Sequence, residues 1–351
     1  MLKRLLLAAA ILIVCAPSLA SACTCAFPAG SCNLMWKSGE VIFTGTATSK
    51  TTNTAPATVD DSFTPNAFQF SVSESFRGPA IRGQDITVYT GTGGGDCGYE
   101  FKVGTSYLVY ASPYNGRLVT GICTPTGPAA QMPAVIRQLR ALQNGERVAD
   151  LFGMIGTSPI AYADDPLAFK PLSGKQVRVI GSRNFEQSTT TDSEGVYSFQ
   201  SLPGDTYRLE VDPPAGMSTW QINQGESYKV EIGAQGISGC TASLSFSPDG
   251  RIKGTVVDDT GKGVAGFIVV EPVDKKEAEI AKWRGSAMGS TTDTGEFELW
   301  LLRPSRYRLV FHPKVGDQVD FRVAAVKSEV ITVGLGQHVK DFRFKVPAVR
   351  Q

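Results

Sequence analysis

Cysteine is the residue of this chain whose type and spacing could most readily do chemistry. Seven occur, at Cys15, Cys23, Cys25, Cys32, Cys97, Cys123 and Cys240. Cys15 falls in a leader-like segment, which leaves six, and an even number in an exported chain reads as a disulfide set. A metal site is the other chemistry open to thiolates. Cys23-Thr24-Cys25 is too tight for the usual zinc spacing of about two to four intervening residues, and no second paired Cys or His lies near it. Disulfides are therefore favoured.

The remaining candidates are sparse. His312 and His338 are the two histidines, and neither stands in a His-x-x-Glu or His-Glu-x-x-His pattern. No Gly-x-Ser-x-Gly elbow occurs. The loop Gly91-Thr92-Gly93-Gly94-Gly95 has the look of a phosphate cradle but lacks the Lys-Ser/Thr and helix that must follow. It reads as a strand connection. Asp192 and Glu194 could ligate calcium, although two carboxylates in a turn are ordinarily solvated. No catalytic residue, cofactor or metal is expected, and the chain reads as non-enzymatic.

The elements that would position these cysteines begin after a secretory signal. Lys3 and Arg4 form its charged start, Leu5 to Ala16 its apolar core, and Ala20-Ser21-Ala22 the small residues before cleavage. Residues 1–22 are thus expected to leave, with Cys23 as the first mature residue. The apolar run is short of the about 20 residues that span a bilayer, and no later stretch is long enough. A second fate for Cys23 is lipidation, since Leu19-Ala20-Ser21-Ala22-Cys23 approximates a lipoprotein signal with its leucine one position too far upstream. The expected location is secreted, extracellular or periplasmic. Thirty-four basic and 33 acidic residues give a net charge of +1. That balance offers no footprint for nucleic acid and no polybasic patch for a membrane surface.

With Gly 37 and Pro 20, and many short Val/Ile/Thr/Tyr/Phe runs, the chain reads as all-β and turn-rich. Residues 23–147 hold five of the six mature cysteines. Their expected strands are Val41–Thr46, Phe68–Val72, Asp85–Tyr89, Ser106–Tyr110 and Arg117–Thr120, with Asn115-Gly116 as a hairpin turn. Five closely spaced strands suit a small barrel. The polar stretch from Thr51 to Thr64 reads as a mobile loop. A helix over Met132–Gln143 follows, with Val135, Ile136, Leu139 and Leu142 at helical spacing and a stop at Asn144-Gly145.

The rest repeats. Ser188 to Phe199, containing Asp192-Ser193-Glu194-Gly195, recurs as Ser290 to Leu299, containing Asp293-Thr294-Gly295. Leu202…Tyr207-Arg208-Leu209 recurs as Leu302…Tyr307-Arg308-Leu309. Upstream, Leu172 to Val179 corresponds to Gly261 to Val269. The expected units are β-sandwiches at 148–246 and 247–351. Gly195 and Gly295 should supply a positive φ, and Tyr197, Phe199, Phe297 and Leu299 should face the cores. Tyr207 and Tyr307 should open strands whose inward positions include Leu209 and Val211, or Leu309 and Phe311. His312 reads as a strand-end residue.

The first unit resembles the netrin-like domain shared with tissue inhibitors of metalloproteinases. The residues that carry the likeness are Cys23-Thr24-Cys25, Cys32-Asn33, Val41 to Gly45, Asp96-Cys97-Gly98-Tyr99, Tyr107 to Tyr110 and Thr120-Gly121-Ile122-Cys123. The resemblance implies an OB-like five-stranded barrel, and the pairs Cys23–Cys97 and Cys25–Cys123. It fails at Cys32, whose counterpart pairs with a cysteine after the last helix; here residues 124–239 contain none. Cys32 either bridges to Cys240 or both are buried thiols. In the inhibitors the free amine and carbonyl of the first cysteine chelate a protease zinc and the second side chain enters the specificity pocket. The likeness thus implies Cys23 and Thr24 as protease contacts.

The repeats resemble the carboxypeptidase regulatory-like domain, a transthyretin-like β-sandwich. Its motifs here are Gly254-Thr255-Val256-Val257-Asp258, Thr292-Asp293-Thr294-Gly295-Glu296-Phe297 and Thr191-Asp192-Ser193-Glu194-Gly195-Val196-Tyr197. The fold is an accessory module in many exported proteins, especially bacterial ones. The chain has no Asn-x-Ser/Thr sequon, which agrees with a bacterial source. The expected function is binding, adhesion or structural, with a protein or glycan partner left unspecified. Metalloprotease inhibition is the alternative. A third option is carbohydrate binding, with Trp220 or Trp283 as stacking residues.

Overall fold

The computed structural model describes residues 39–52, 64–93, 96–157, 170–219, 228–232, 239–284, 286–315, 318–319 and 325–347. The architecture is all-β, a closed barrel followed by strands arranged as β-sandwiches.

The barrel is built from β1 (Val41–Thr52), β2 (Asn66–Arg77), β3 (Asp85–Thr90), β4 (Ser106–Tyr114) and β5 (Arg117–Val119), in the order β1-β2-β3-β5-β4, and β4 pairs back with β1. β6 (Gly127–Pro128) adds to β4. β1 is held on both edges, with Phe43 opposite Ser75 on one side and Val109 on the other. Its pairing with β2 shifts register between Thr44 and Gly45, and such a bulge bends a strand enough to close a barrel. A side chain at Gly45 would meet the Ser71 carbonyl at 2.8 Å, so the bend needs glycine. Inside, Phe43, Phe70, Phe101 and Tyr107 meet edge to face, with Phe70 and Phe101 ring centres 4.9 Å apart. The β4–β5 turn is the expected hairpin: Asn115 and Gly116 both take positive φ, 48° and 76°. β1 continues to Thr52, into the stretch read as loop; residues 53–63 lie outside the described ones.

Helix α1 (Pro133–Gln143) starts on proline and buries Ala134, Val135, Ile136 and Leu139. Leu142, expected on the same face, is exposed. Gly145 ends the helix at φ 71°. Arg140 grips Glu74 of β2 at 2.7 Å and Gln143 donates to the Ser75 carbonyl at 2.6 Å, so the helix packs on the barrel.

The chain divides into two compact units. One spans 1–152, 198–204 and 232–241; the other spans 153–197, 205–231 and 242–351. Between the barrel and residue 249 run β7 (Leu151–Thr157), β8 (Lys170–Pro171), β9 (Gln176–Ile180), β10 (Glu186–Thr190), β11 (Val196–Phe199), β12 (Asp205–Glu210), β13 (Met217–Ser218), β14 (Tyr228–Ile232), β15 (Cys240–Thr241) and β16 (Leu244–Pro248). They form one sheet β10-β9-β12-β14 and another β11-β7-β16-β13, to which β8 and β15 attach through β7. After Asp249 come β17 (Gly250–Val257), β18 (Gly266–Pro272), helix α2 (Lys275–Arg284), β19 (Met288–Ser290), β20 (Glu296–Leu302), β21 (Ser305–Val315), β22 (Gln318–Val319), β23 (Val326–Lys327), β24 (Ile331–Val333) and β25 (His338–Lys345). Their sheets are β20-β17-β25 and β19-β18-β21-β22, with β23 and β24 on β21.

The repeat extends to single hydrogen bonds. The Thr191 hydroxyl donates to the Leu172 carbonyl and accepts the Lys175 N–H; the Thr291 hydroxyl donates to the Val264 carbonyl and accepts the Gly266 N–H. Gly195 and Gly295 adopt φ 70° and 79°. Tyr197, Phe199, Tyr207 and Leu209 are buried in the first copy, and Phe297, Leu299, Tyr307, Leu309 and Phe311 in the second. The inward residues of β18 are Ile268 and Val270. Two expectations need correction. Val211 lies beyond the end of β12 and is half-buried. His312 sits inside the eleven-residue β21 opposite Phe267, because that strand runs on past Pro313. Helix α2 lies between β18 and β19, where the sequence pattern announces no element.

Candidate functional site

The cysteines form the candidate site, and the barrel explains the motifs around them. Asp96 fixes the first turn: its carboxylate accepts N–H groups from Thr92 at 2.6 Å, Gly93 at 2.9 Å and Gly98 at 3.0 Å, and the Thr92 hydroxyl at 2.7 Å. Partial burial pulls its pKa up, but the Thr92, Gly98 and Gly93 donors outweigh that and hold it below the ordinary value. The Thr92 and Gly93 N–H groups of this glycine-rich loop are thus turned onto an internal carboxylate rather than toward a ligand.

Cys97 follows with φ 56°, a conformation that costs a non-glycine residue energy unless its surroundings enforce it. They do. Gly98 crosses the Gly91 backbone so closely that a side chain there would lie 2.2 Å from the Gly91 carbonyl carbon. Gly121 passes the Cys97 carbonyl, which would be 2.6 Å from a Cβ at that position, and the same carbonyl accepts the Ile122 N–H at 2.9 Å. The Cys97-Gly98 and Gly121-Ile122-Cys123 segments are therefore bound to each other, and the structure brings Cys97 and Cys123 together on the barrel. Thr120, Thr124 and Thr126 brace the second segment, with the Thr120 hydroxyl donating to the Tyr110 carbonyl at 2.7 Å. Burial pushes the nearby Tyr99 hydroxyl up to about 12, with Tyr107 adding to the rise.

Cys97, Cys123 and Cys240 are each disulfide-bonded. Cys240 is fully buried in β15, paired in parallel with Leu151 of β7, and belongs to the same compact unit as the barrel. Its N–H donates to the Asp150 carbonyl at 2.9 Å, while the Asp150 side chain accepts the Leu202 N–H. The expected partners Cys23, Cys25 and Cys32, the proposed protease contact Thr24, the signal segment and Trp220 lie outside the described residues. Trp283 belongs to α2, and its side chain is likewise outside them.

The other candidates stand apart from this cluster. One oxygen of Asp192 accepts the N–H groups of Glu194 and Val196, at 2.9 and 3.0 Å, which makes it a turn former. His338 begins β25, and its Nε2 lies 3.3 Å from the Asp249 carboxylate, which Arg251 also binds. No group of three or more His, Cys, Asp or Glu side chains suited to a metal ion occurs among the described residues. Among them no helix is long and apolar enough to cross a membrane.

A family profile, the SdrD B-like domain, matches residues 165–255. That span takes in most of the first sandwich and the opening strand of the second. No curated protein is similar enough to match. Among solved structures, the minor pilin GBS52 of Streptococcus agalactiae aligns at 14% identity over 57% of this chain and 98% of its own, with a TM-score of 0.22. A streptococcal ancillary pilin aligns at 12% identity over 80% of this chain and 75% of its own, with a TM-score of 0.23. The shaft pilin SpaA of Lactobacillus rhamnosus GG aligns at 11% identity over 58% of this chain and 100% of its own, with a TM-score of 0.22. Scores of this size do not establish a common global arrangement.

Proposed function

We propose that this chain is an exported, non-enzymatic adhesion or structural protein whose barrel is a disulfide-stapled head on tandem β-sandwiches. The observation that carries the reading is the repeat: two successive β-sandwich modules sharing a turn, a threonine brace and a core pattern. A domain match across the first module supports it. Modules of this kind multiply length and binding surface without needing a catalytic centre. The reading places the mature protein outside the cell, starting at Cys23. The test is binding of the oxidised mature protein, immobilised, to a glycan array and to plate-bound extracellular-matrix proteins, beside assays for peptidase and esterase turnover. Saturable binding without turnover is expected, and turnover would overturn the reading.

The disulfides sharpen it. Three bonded cysteines is an odd number, so at least one of Cys97, Cys123 and Cys240 takes its partner from Cys15, Cys23, Cys25 and Cys32. We propose the pairs Cys23–Cys97, Cys25–Cys123 and Cys32–Cys240. The proximity of Cys97 and Cys123 fits a Cys-x-Cys segment laid across both, which also favours the netrin-like reading of the barrel. Metalloprotease inhibition through the Cys23 amine and Thr24 is the second function consistent with that arrangement. Zinc-protease inhibition by the mature chain, lost when the N-terminus is acetylated, tests it.

A further inference from the structure

The second sandwich contains a cavity of about 220 Å³. It lies under α2, the helix inserted between β18 and β19, where the first copy has only a short turn at Ser182–Asn184. Ile280 and Ala281 of α2 form one wall; Val270, Trp300 and Tyr307 form the others. Glu277 and Arg303 also line it as a buried ion pair, their side chains 14% and 5% exposed, with Arg303 Nε 3.1 Å from Glu277 Oε2. Arg251 lies over the Trp300 ring at 5.9 Å, and the Tyr307 hydroxyl donates to the Arg303 carbonyl at 2.8 Å.

The first copy serves as an internal control. In both copies this stretch carries a residue at positive φ, Ser201 at 60° and Leu301 at 56°, so the backbone shape belongs to the fold. In the second, β20 also slips register against β17 there. The side chains differ. Gln200-Ser201-Leu202-Pro203 becomes Trp300-Leu301-Leu302-Arg303. A branched leucine in the left-handed region is costlier than serine, a buried arginine must be matched by a buried glutamate, and neither is required for the fold, since the first copy folds without them.

We propose that this cavity is a binding site for a small, uncharged aromatic compound that carries one O–H or N–H donor, of the phenol or indole class. A dry cavity of about 150 Å³ accommodates a benzene ring, so this one has room for a ring with a substituent. Trp300 and Tyr307 offer aromatic faces, and Ile280, Ala281 and Val270 an apolar bed. The Glu277 carboxylate has lone pairs enough to accept a ligand hydrogen bond beside its ion pair with Arg303. Glu277 and Arg303 already neutralise each other, so a charged head group would have to displace one partner of their buried ion pair. The head group is therefore neutral.

The experiment is fluorine NMR of the mature, oxidised full chain with 4-fluorophenol, beside fluorobenzene, 4-fluorobenzoate and 4-fluorobenzylamine. Saturable binding of 4-fluorophenol, at least about tenfold tighter than the two charged probes, is expected. The double variant Trp300→Gln, Leu301→Ser, which installs the first copy's own residues, should weaken binding at least about tenfold. Ala281→Leu fills the cavity without touching its polar groups; it should abolish binding and leave the melting temperature unchanged or raised. No saturation by 4-fluorophenol up to about 10 mM, equal binding of the charged probes, or undiminished binding in a folded Ala281→Leu variant would each overturn the site.

Discussion

Thr292 occupies in the second sandwich the place that Asp192 occupies in the first. The Asp192 N–H donates to the Val196 carbonyl at 3.0 Å, and the Thr292 N–H to the Glu296 carbonyl at 2.9 Å. The side chains return the bond: Asp192 Oδ1 accepts the Val196 N–H at 3.0 Å, and Thr292 Oγ1 the Glu296 N–H at 3.0 Å. Asp293, the residue that matches by type, stands one position on and is exposed.

A substitution series follows from that equivalence. Asp192→Ala strands two N–H groups of the turn and should cost about 1–2 kcal/mol. Asp192→Thr should cost less, because the second copy already uses threonine. Asp293→Ala should change stability by less than about 0.5 kcal/mol. Urea denaturation of the three variants checks the order; an Asp293→Ala cost matching that of Asp192→Ala would contradict the alignment.

Two glycines with nearly the same φ separate conformational cost from crowding. Gly116, φ 76°, has nothing within 4 Å of an added Cβ, whereas at Gly295, φ 79°, that atom would sit 2.1 Å from the Val256 carbonyl oxygen. Gly116→Ala should cost about 1–2 kcal/mol, the price of the left-handed backbone alone. Gly295→Ala must also move β17 or the turn, and should cost more than about 3 kcal/mol. Thermal scanning of both should show the larger fall for Gly295→Ala.

The proposed staple makes a covalent prediction. Non-reducing peptide mapping of the mature protein should yield Cys23–Cys97, Cys25–Cys123 and Cys32–Cys240, with no free thiol in denaturant. Chain entropy credits each of the first two bonds with about 4–5 kcal/mol as an upper figure, so reduction should lower the barrel's unfolding midpoint steeply. A linked Cys97–Cys123 peptide would refute the arrangement.

The parts legible in the sequence are those decided locally. Asn115-Gly116 announces a hairpin because both residues tolerate positive φ, and the alternation through Tyr197 and Phe199 announces a strand with one buried face. The cysteine motifs could also be read as a unit. What could not be read depends on distant contacts. Gly91 and Gly98 matter because two backbones cross, and the sequence does not show which ones meet. Helix α2 escapes a search for apolar periodicity because Ala278, Ile280 and Ala281 make no continuous stripe; its Lys/Glu/Ala content, high in helix propensity, was the available signal. The cavity beneath α2 is invisible in the sequence for the same reason.

Asp274 gives the second sandwich an acid-sensitive tie. Arg306 donates from Nε and Nη2 to one carboxylate oxygen, at 2.9 and 2.6 Å, and the Arg306 N–H and Ser305 hydroxyl donate to the other, at 2.9 and 2.8 Å. Those donors, the Arg306 side chain foremost, hold the carboxyl at about 2 against an ordinary 3.8. The folded state therefore favours the ionised form. Its contribution is complete above the unfolded value and disappears as pH falls through about 4 toward about 2. Asp274→Asn keeps an acceptor but removes the charge. The stability gap between the native protein and this variant should be constant above about pH 5 and close progressively between about pH 4 and pH 2, as read by urea denaturation at each pH. Because α2 begins at the next residue and Ala278 donates its N–H to the Asp274 carbonyl at 2.9 Å, the same acidification should loosen the helix before the sheets. Amide exchange at Ala278 rising earlier than at Leu309 would show it, and a gap that does not change with pH would refute the tie.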